Sequence, residues 1–152
     1  MKTGMKKTAE AVLLVDDSAE DVEFALAALA EFCRPEAVQV ARDGMEALDY
    51  LLRRGRFEAR APGNPALILL DIKMPLMDGL EVLRTVKNDA LLKTIPVVML
   101  TSSREPQDID SSYRFGGNAY VVKPLVFSEF RAAMHTLGAF WVGLNAAPAA
   151  GA

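Results

Sequence analysis

The chain has 152 residues, about half apolar and a quarter charged, which fits one soluble domain with a single sizeable core. A net charge of −3 gives no broad basic surface, so neither nucleic acid nor an anionic membrane is expected as a partner. Its one cysteine, Cys33, excludes an internal disulfide and a multi-cysteine metal site, and suits a reducing cytoplasm.

The start, MKTGMKKTAEAVLLVDD, sets basic residues before an apolar run, as a signal peptide does. The run Ala11–Val15 is too short for such a peptide and ends in two aspartates, which rejects that reading. No stretch approaches the ~18–20 apolar residues of a membrane span. Residues 1–10 are expected to form a flexible lead, 11–144 the domain, and 145–152 (NAAPAAGA) a flexible, frayed tail.

Within the domain, short apolar runs alternate with amphipathic stretches. Ala11–Val15 reads as the first strand. Ser18 caps a helix ending near Phe32, with Asp21 in capping-box position and Val22, Leu26 and Leu29 on one face. CRPEA is a turn, and VQVAR (Val38–Arg42) a second strand. Asp43 caps GMEALDYLLRR, whose Ala47, Leu48, Leu51 and Leu52 share a face. GRFEARAPGNP (Gly55–Pro65) reads as a loop, longer than the usual 2–6 residues of a helix-to-strand connection. ALILLD is a third strand ending at Asp71, and GLEVLRTVKND a helix. IPVVMLTSS is a fourth strand, and PQDIDSSYRFGG a polar helix closed by Gly116-Gly117. NAYVVKP is the last strand, and FSEFRAAMHTLGAFWVGL the last helix, with Phe130, Met134, Leu137 and Trp141 in one stripe.

Five β-α units with near-continuous apolar strands predict a parallel sheet covered by helices on both faces, an α/β doubly wound architecture. In such a sheet the carboxyl ends of the strands form the functional rim. Asp16-Asp17 end the first strand, Asp71 the third and Thr101 the fourth, while Lys123 leaves the fifth just before Pro124. Clustered carboxylates suit a hard divalent cation such as Mg²⁺, and Lys123 suits a phosphoryl oxygen. A carboxylate between a metal and a lysine can attack a phosphoryl donor.

These residues match a family. The ordered pattern LLVDDS, LLDIKMPLMDG, VVMLTSS and AYVVKP resembles the receiver domain of two-component response regulators, over about residues 11–140. The resemblance implies the flavodoxin-like (βα)5 sandwich with strand order 2-1-3-4-5. It also implies that Asp71 is the phosphoacceptor, with Asp17 a direct Mg²⁺ ligand, Asp16 acting mainly through metal-bound water, and the backbone carbonyl of Lys73 completing the protein ligands. Thr101 and Tyr120 become the switch hydroxyl and switch aromatic, and the Lys123–Pro124 bond is expected to be cis. A histidine kinase is the implied donor. The long RRGRFEARAPGNPA segment and the FWVGLN ending further resemble small regulators serving bacterial phytochrome-type kinases, which points to a light-sensing pathway.

Simpler readings stand beside these. The acid pair could compensate the dipole of the following helix, and Tyr120 could be plain strand packing. Lys73, Lys87 and Lys93 read as solvated charges, His135 as a helix-surface residue and Cys33 as inert. Positions 73 and 103 are candidates for tuning phosphoryl lifetime. Phe140 and Trp141 have little chain left to cover them, which motivates a homodimer through the helix 4–strand 5–helix 5 face. The chain leaves no room for an output domain, so signalling by protein contact, or a role as phosphoryl shuttle or sink, is expected. An aspartyl-phosphate phosphohydrolase would resemble D-x-D at the first strand, where this chain has DDS. A flavodoxin-like nucleotide or flavin binder would need a Gly-rich phosphate loop there, and none follows.

Overall fold

In a computed structural model, described here for residues 12–149, five parallel strands form one sheet in the order β2-β1-β3-β4-β5. The strands are β1 (Val12–Val15), β2 (Val38–Ala41), β3 (Leu67–Leu70), β4 (Val97–Thr101) and β5 (Ala119–Val122). The helices between and after them are α1 (Ala19–Leu29), α2 (Gly44–Leu52), α3 (Gly79–Lys87), α4 (Pro106–Arg114) and α5 (Phe127–Leu137). The expected flexible lead, residues 1–10, lies outside the described residues, and 145–149 form no regular element.

The three central strands are wholly apolar apart from Thr101 and wholly buried, as strands covered on both faces must be. Strand alternation divides their side chains into two layers. Leu13, Val15, Ile68, Leu70, Val97 and Met99 face α2 and α3. Val12, Leu14, Leu67, Leu69, Val98 and Leu100 face α1 and α5. The edge strands β2 and β5 are less buried.

Several boundaries differ from the sequence reading. The first helix stops at Leu29, and the chain continues to Cys33 in turns that reuse the Leu29 carbonyl. The second stops at Leu52 because Arg53 takes a left-handed conformation, φ 55°. Its core face contains Tyr50, 2% exposed, while Leu52 is 37% exposed. The Tyr50 ring is covered by Arg60, whose guanidinium sits 4.0 Å from the ring centroid and donates to the Tyr50 carbonyl at 2.8 Å. That one arginine also binds the carbonyls of Ala61 and Gly63, so the long loop is pinned along its length. Lys87 is not a solvated charge. Its ammonium donates to the carbonyls of Ile95 (2.7 Å) and Lys93 (3.0 Å), tying α3 to the approach of β4. The last helix changes to a π-helical segment at Gly138–Leu144. Gly138 permits close packing there, since a Cβ would lie 2.5 Å from the Phe32 ring.

Candidate functional site

Ladder geometry brings the rim together before any side chain acts. The Asp16 amide donates to Ala41, the Asp71 amide to Val15 and the Lys123 amide to Thr101, at 2.7–3.0 Å. Each of these three residues is therefore one further rung of the sheet, with its backbone fixed by the neighbouring strand.

The side chains converge as the strand ends predicted. Asp16, Asp17 and Asp71 each offer an oxygen within 4.8 Å of the others. Asp16 and Asp71 are buried, and Asp17 is exposed. Lys123, also buried, donates to Asp16 Oδ2 at 2.8 Å and Asp71 Oδ2 at 3.2 Å. A third acid, Asp21, accepts from Lys123 at 2.8 Å. The sequence reading assigned Asp21 to a capping box. Ser18 does cap α1 by accepting from the Asp21 amide, but the Ser18 amide is bound by Asp16 Oδ1, and the Asp21 carboxylate is left for the lysine.

Burial raises the pKa of Asp16, against the opposing pull of Lys123 and the Ser18 amide. Burial alone would lower Lys123, but hydrogen bonds to Asp16 and Asp21 and the charge of Asp71 outweigh it and hold the ammonium above its ordinary value. The site is rich in carboxylates for its single buried cation. Asp71 Oδ1 is buried with no hydrogen-bond partner. Three carboxylates that each bring an oxygen within 4.8 Å of the others are a donor set that fits a divalent cation with oxygen ligands.

The loop after Asp71 is shaped by sequence-specific devices. Met77 donates to the Pro75 carbonyl at 2.8 Å across Leu76, which adopts φ 69° in a tight γ-turn. Asp78 caps α3. Gly79 is required by space, because a Cβ would lie 2.0 Å from the Asp71 carbonyl oxygen. Lys73, in the same loop, is exposed as expected, with its ammonium 3.6 Å from Asp108.

Thr101 and Tyr120 both bind the backbone of Ser103. The Thr101 hydroxyl oxygen accepts from the Ser103 amide at 3.4 Å, and the Tyr120 hydroxyl donates to the Ser103 carbonyl at 3.0 Å. The Ser103 hydroxyl donates to buried Asp108 at 2.6 Å and accepts from the Glu105 amide. Ser103 is thus the junction between both switch candidates and α4. Asp108 was missed, since an acid in a helix's first turn reads as dipole compensation. The expected cis bond is corrected: no cis peptide occurs among the described residues, so Lys123–Pro124 is trans. Trans is the lower-energy form of such bonds, and Lys123 reaches its three acids from it.

Comparison with known proteins agrees with this geometry. The model of the response regulator receiver domain matches residues 12–135. Response regulator Rcp1 of Synechocystis sp. is 34% identical over 91% of this chain and 93% of its own. The crystal structure of the phosphorylated cyanobacterial phytochrome response regulator RcpA superposes with a TM-score of 0.86 at 36% identity, covering 92% of this chain and 99% of that one. The bacteriophytochrome response regulator RtBRR is 52% identical over 92% of this chain and 84% of its own, with a TM-score of 0.71. The chain belongs to the response regulator receiver domain family of two-component systems, and is similar to its phytochrome response regulators.

Proposed function

We propose that Asp71 accepts a phosphoryl group from a phosphohistidine of a sensor kinase, with Mg²⁺ held by Asp16, Asp17, Asp71 and the Lys73 carbonyl. The observation that carries this reading is the division of labour within one carboxylate. Asp71 Oδ2 accepts from Lys123, while buried Oδ1 has no partner. An uncommitted carboxylate oxygen is the nucleophile that such a transfer needs. Its attack on phosphorus forms a P–O bond to Asp71 as the P–N bond to histidine breaks, and the histidine nitrogen keeps the bonding pair. Mg²⁺, when bound, would neutralise charge on the phosphoryl oxygens. Lys123 supplies a positive charge already aimed at Asp71 and meets one of those oxygens. Thr101 then turns its hydroxyl to the phosphoryl group, which withdraws an acceptor from the Ser103 amide, and Tyr120 responds through the Ser103 carbonyl. Water attack on the acyl phosphate, assisted by the same site, returns the domain to its starting state.

The kinase in this reading is of the phytochrome type, supported by the likeness to RcpA and RtBRR. The domain then works in the cytoplasm, in keeping with the free thiol of Cys33. No helix among the described residues is long and apolar enough to cross a membrane. Output runs through protein contacts of the α4–β5–α5 face, including a homodimer. Exposed Tyr113 on α4, with Phe140 and Leu144 at 46% and 77% exposure, supplies apolar area for it.

The test is phosphotransfer from a purified, labelled phytochrome-type kinase to the wild type and to Asp71→Asn. The expected result is rapid label transfer to the wild type alone, faster than from an unrelated sensor kinase. Transfer to Asp71→Asn at the wild-type rate would overturn the assignment. Steady turnover of small phosphate esters would favour a phosphohydrolase instead.

A further inference from the structure

Lys123 spends all three of its ammonium protons on carboxylates: Asp16 and Asp21 at 2.8 Å and Asp71 at 3.2 Å. Two of these partners, Asp16 and Asp71, belong to the carboxylate group able to hold a cation, and Asp21 does not. A cation drawn to Asp16 and Asp71 competes with Lys123 for the charge of the same carboxylates. Asp21 has no such conflict. It stands in the first turn of α1, with its amide fixed by the Ser18 cap, so its carboxylate approaches the lysine from a rigid base.

We propose that Asp21 is a positioning residue for this rim: it anchors the Lys123 ammonium on the α1 side, leaving Asp16 and Asp71 free to take a divalent cation while the lysine stays beside the acceptor. The proposal rests on the reading of Asp71 and Lys123 given above. Without Asp21, the ammonium settles fully on Asp16 and Asp71 and opposes the cation. The loss of Asp21 should therefore be felt mainly through Lys123.

The experiment is a Mn²⁺ titration of the full chain, read by water-proton relaxation, for the wild type, Asp21→Asn, Lys123→Met and the double variant. Asp21→Asn is expected to weaken Mn²⁺ binding about tenfold when Lys123 is present and at most about twofold in the Lys123→Met background. The residual effect is the through-space charge of one carboxylate. Equal losses in the two backgrounds, or no loss in either, would overturn the proposal. Lys123→Gln serves in the same cycle if Lys123→Met does not fold. Mn²⁺ affinity needs no phosphoryl transfer, so failure here is distinguishable from failure of Asp71 as acceptor, which label uptake reads by itself.

Discussion

The acids around Lys123 and the hydroxyls around Ser103 occupy neighbouring strand ends, yet they are built in opposite ways. The first group crowds Asp16, Asp17, Asp21 and Asp71 near one ammonium and leaves a buried oxygen of Asp71 unpartnered. The second group is satisfied. The Ser103 amide, carbonyl and hydroxyl all have partners, in Thr101, Tyr120 and Asp108. The acidic group therefore gains free energy from added positive charge, whereas the hydroxyl group changes only by breaking bonds it already has. In the function proposed above the two work as a pair: the acidic half is occupied, and the hydroxyl half holds its shape until Thr101 is drawn away.

The contrast can be broken from either side. The largest effect is expected at the backbone beneath the acids. Gly79→Ala forces a methyl group against the Asp71 carbonyl and should cost about 3 kcal/mol in urea unfolding, because the obstacle is main chain and cannot rotate aside. In the satisfied network, Asp108→Ala strips Ser103 of its acceptor and should cost about 2 kcal/mol by the same measurement, while phosphoryl uptake on Asp71 persists.

The acidic group should respond with the opposite sign. Asp16→Asn removes a buried charge and should stabilise the metal-free protein by about 1 kcal/mol at neutral pH, while reducing the gain in melting temperature given by Mg²⁺. Its pH dependence follows from the raised pKa of Asp16, which burial causes. Between the ordinary value of 3.8 and the raised one, the folded wild type binds more protons than the unfolded chain, so its stability rises as pH falls. The advantage of Asp16→Asn should be full above that window and shrink as pH drops towards 3.8, as followed by urea midpoints. The smallest effect is expected at Tyr120→Phe, which loses one half-buried hydrogen bond to Ser103 and should cost about 0.5 kcal/mol. That variant should take up phosphoryl groups at the wild-type rate yet respond differently in the hydrogen exchange of α4.

Much of this was legible in the sequence because a parallel sheet has only one functional edge. Once ALILL and VVML read as buried strands, Asp71 and Thr101 had to emerge on the same rim as Asp16, Asp17 and Lys123. Asp21 was not legible as a site residue. Its spacing from Ser18 has a sufficient local explanation, and only the reach of Lys123 back over the ends of β4 and β3 gives it another. Asp108 was passed over, and Lys87 read as a solvated charge, for the same reason. A charge near a helix end has a ready local role, and its distant partners, Ser103 and the carbonyls before β4, depend on packing. Leu52 and Tyr50 exchanged places because Arg60, ten residues on in a loop that looked structureless, covers the tyrosine ring.

The central claim is that Asp71 is the acceptor in a rim completed by a cation. The most direct measurement is the intact mass of the protein after incubation with a small-molecule phosphoryl donor, with Mg²⁺ and with a chelator, for the wild type and Asp71→Asn. The account predicts one added phosphoryl group on the wild type, only when Mg²⁺ is present, and none on Asp71→Asn. An adduct on Asp71→Asn, or no adduct on folded wild type with Mg²⁺ bound, would contradict it.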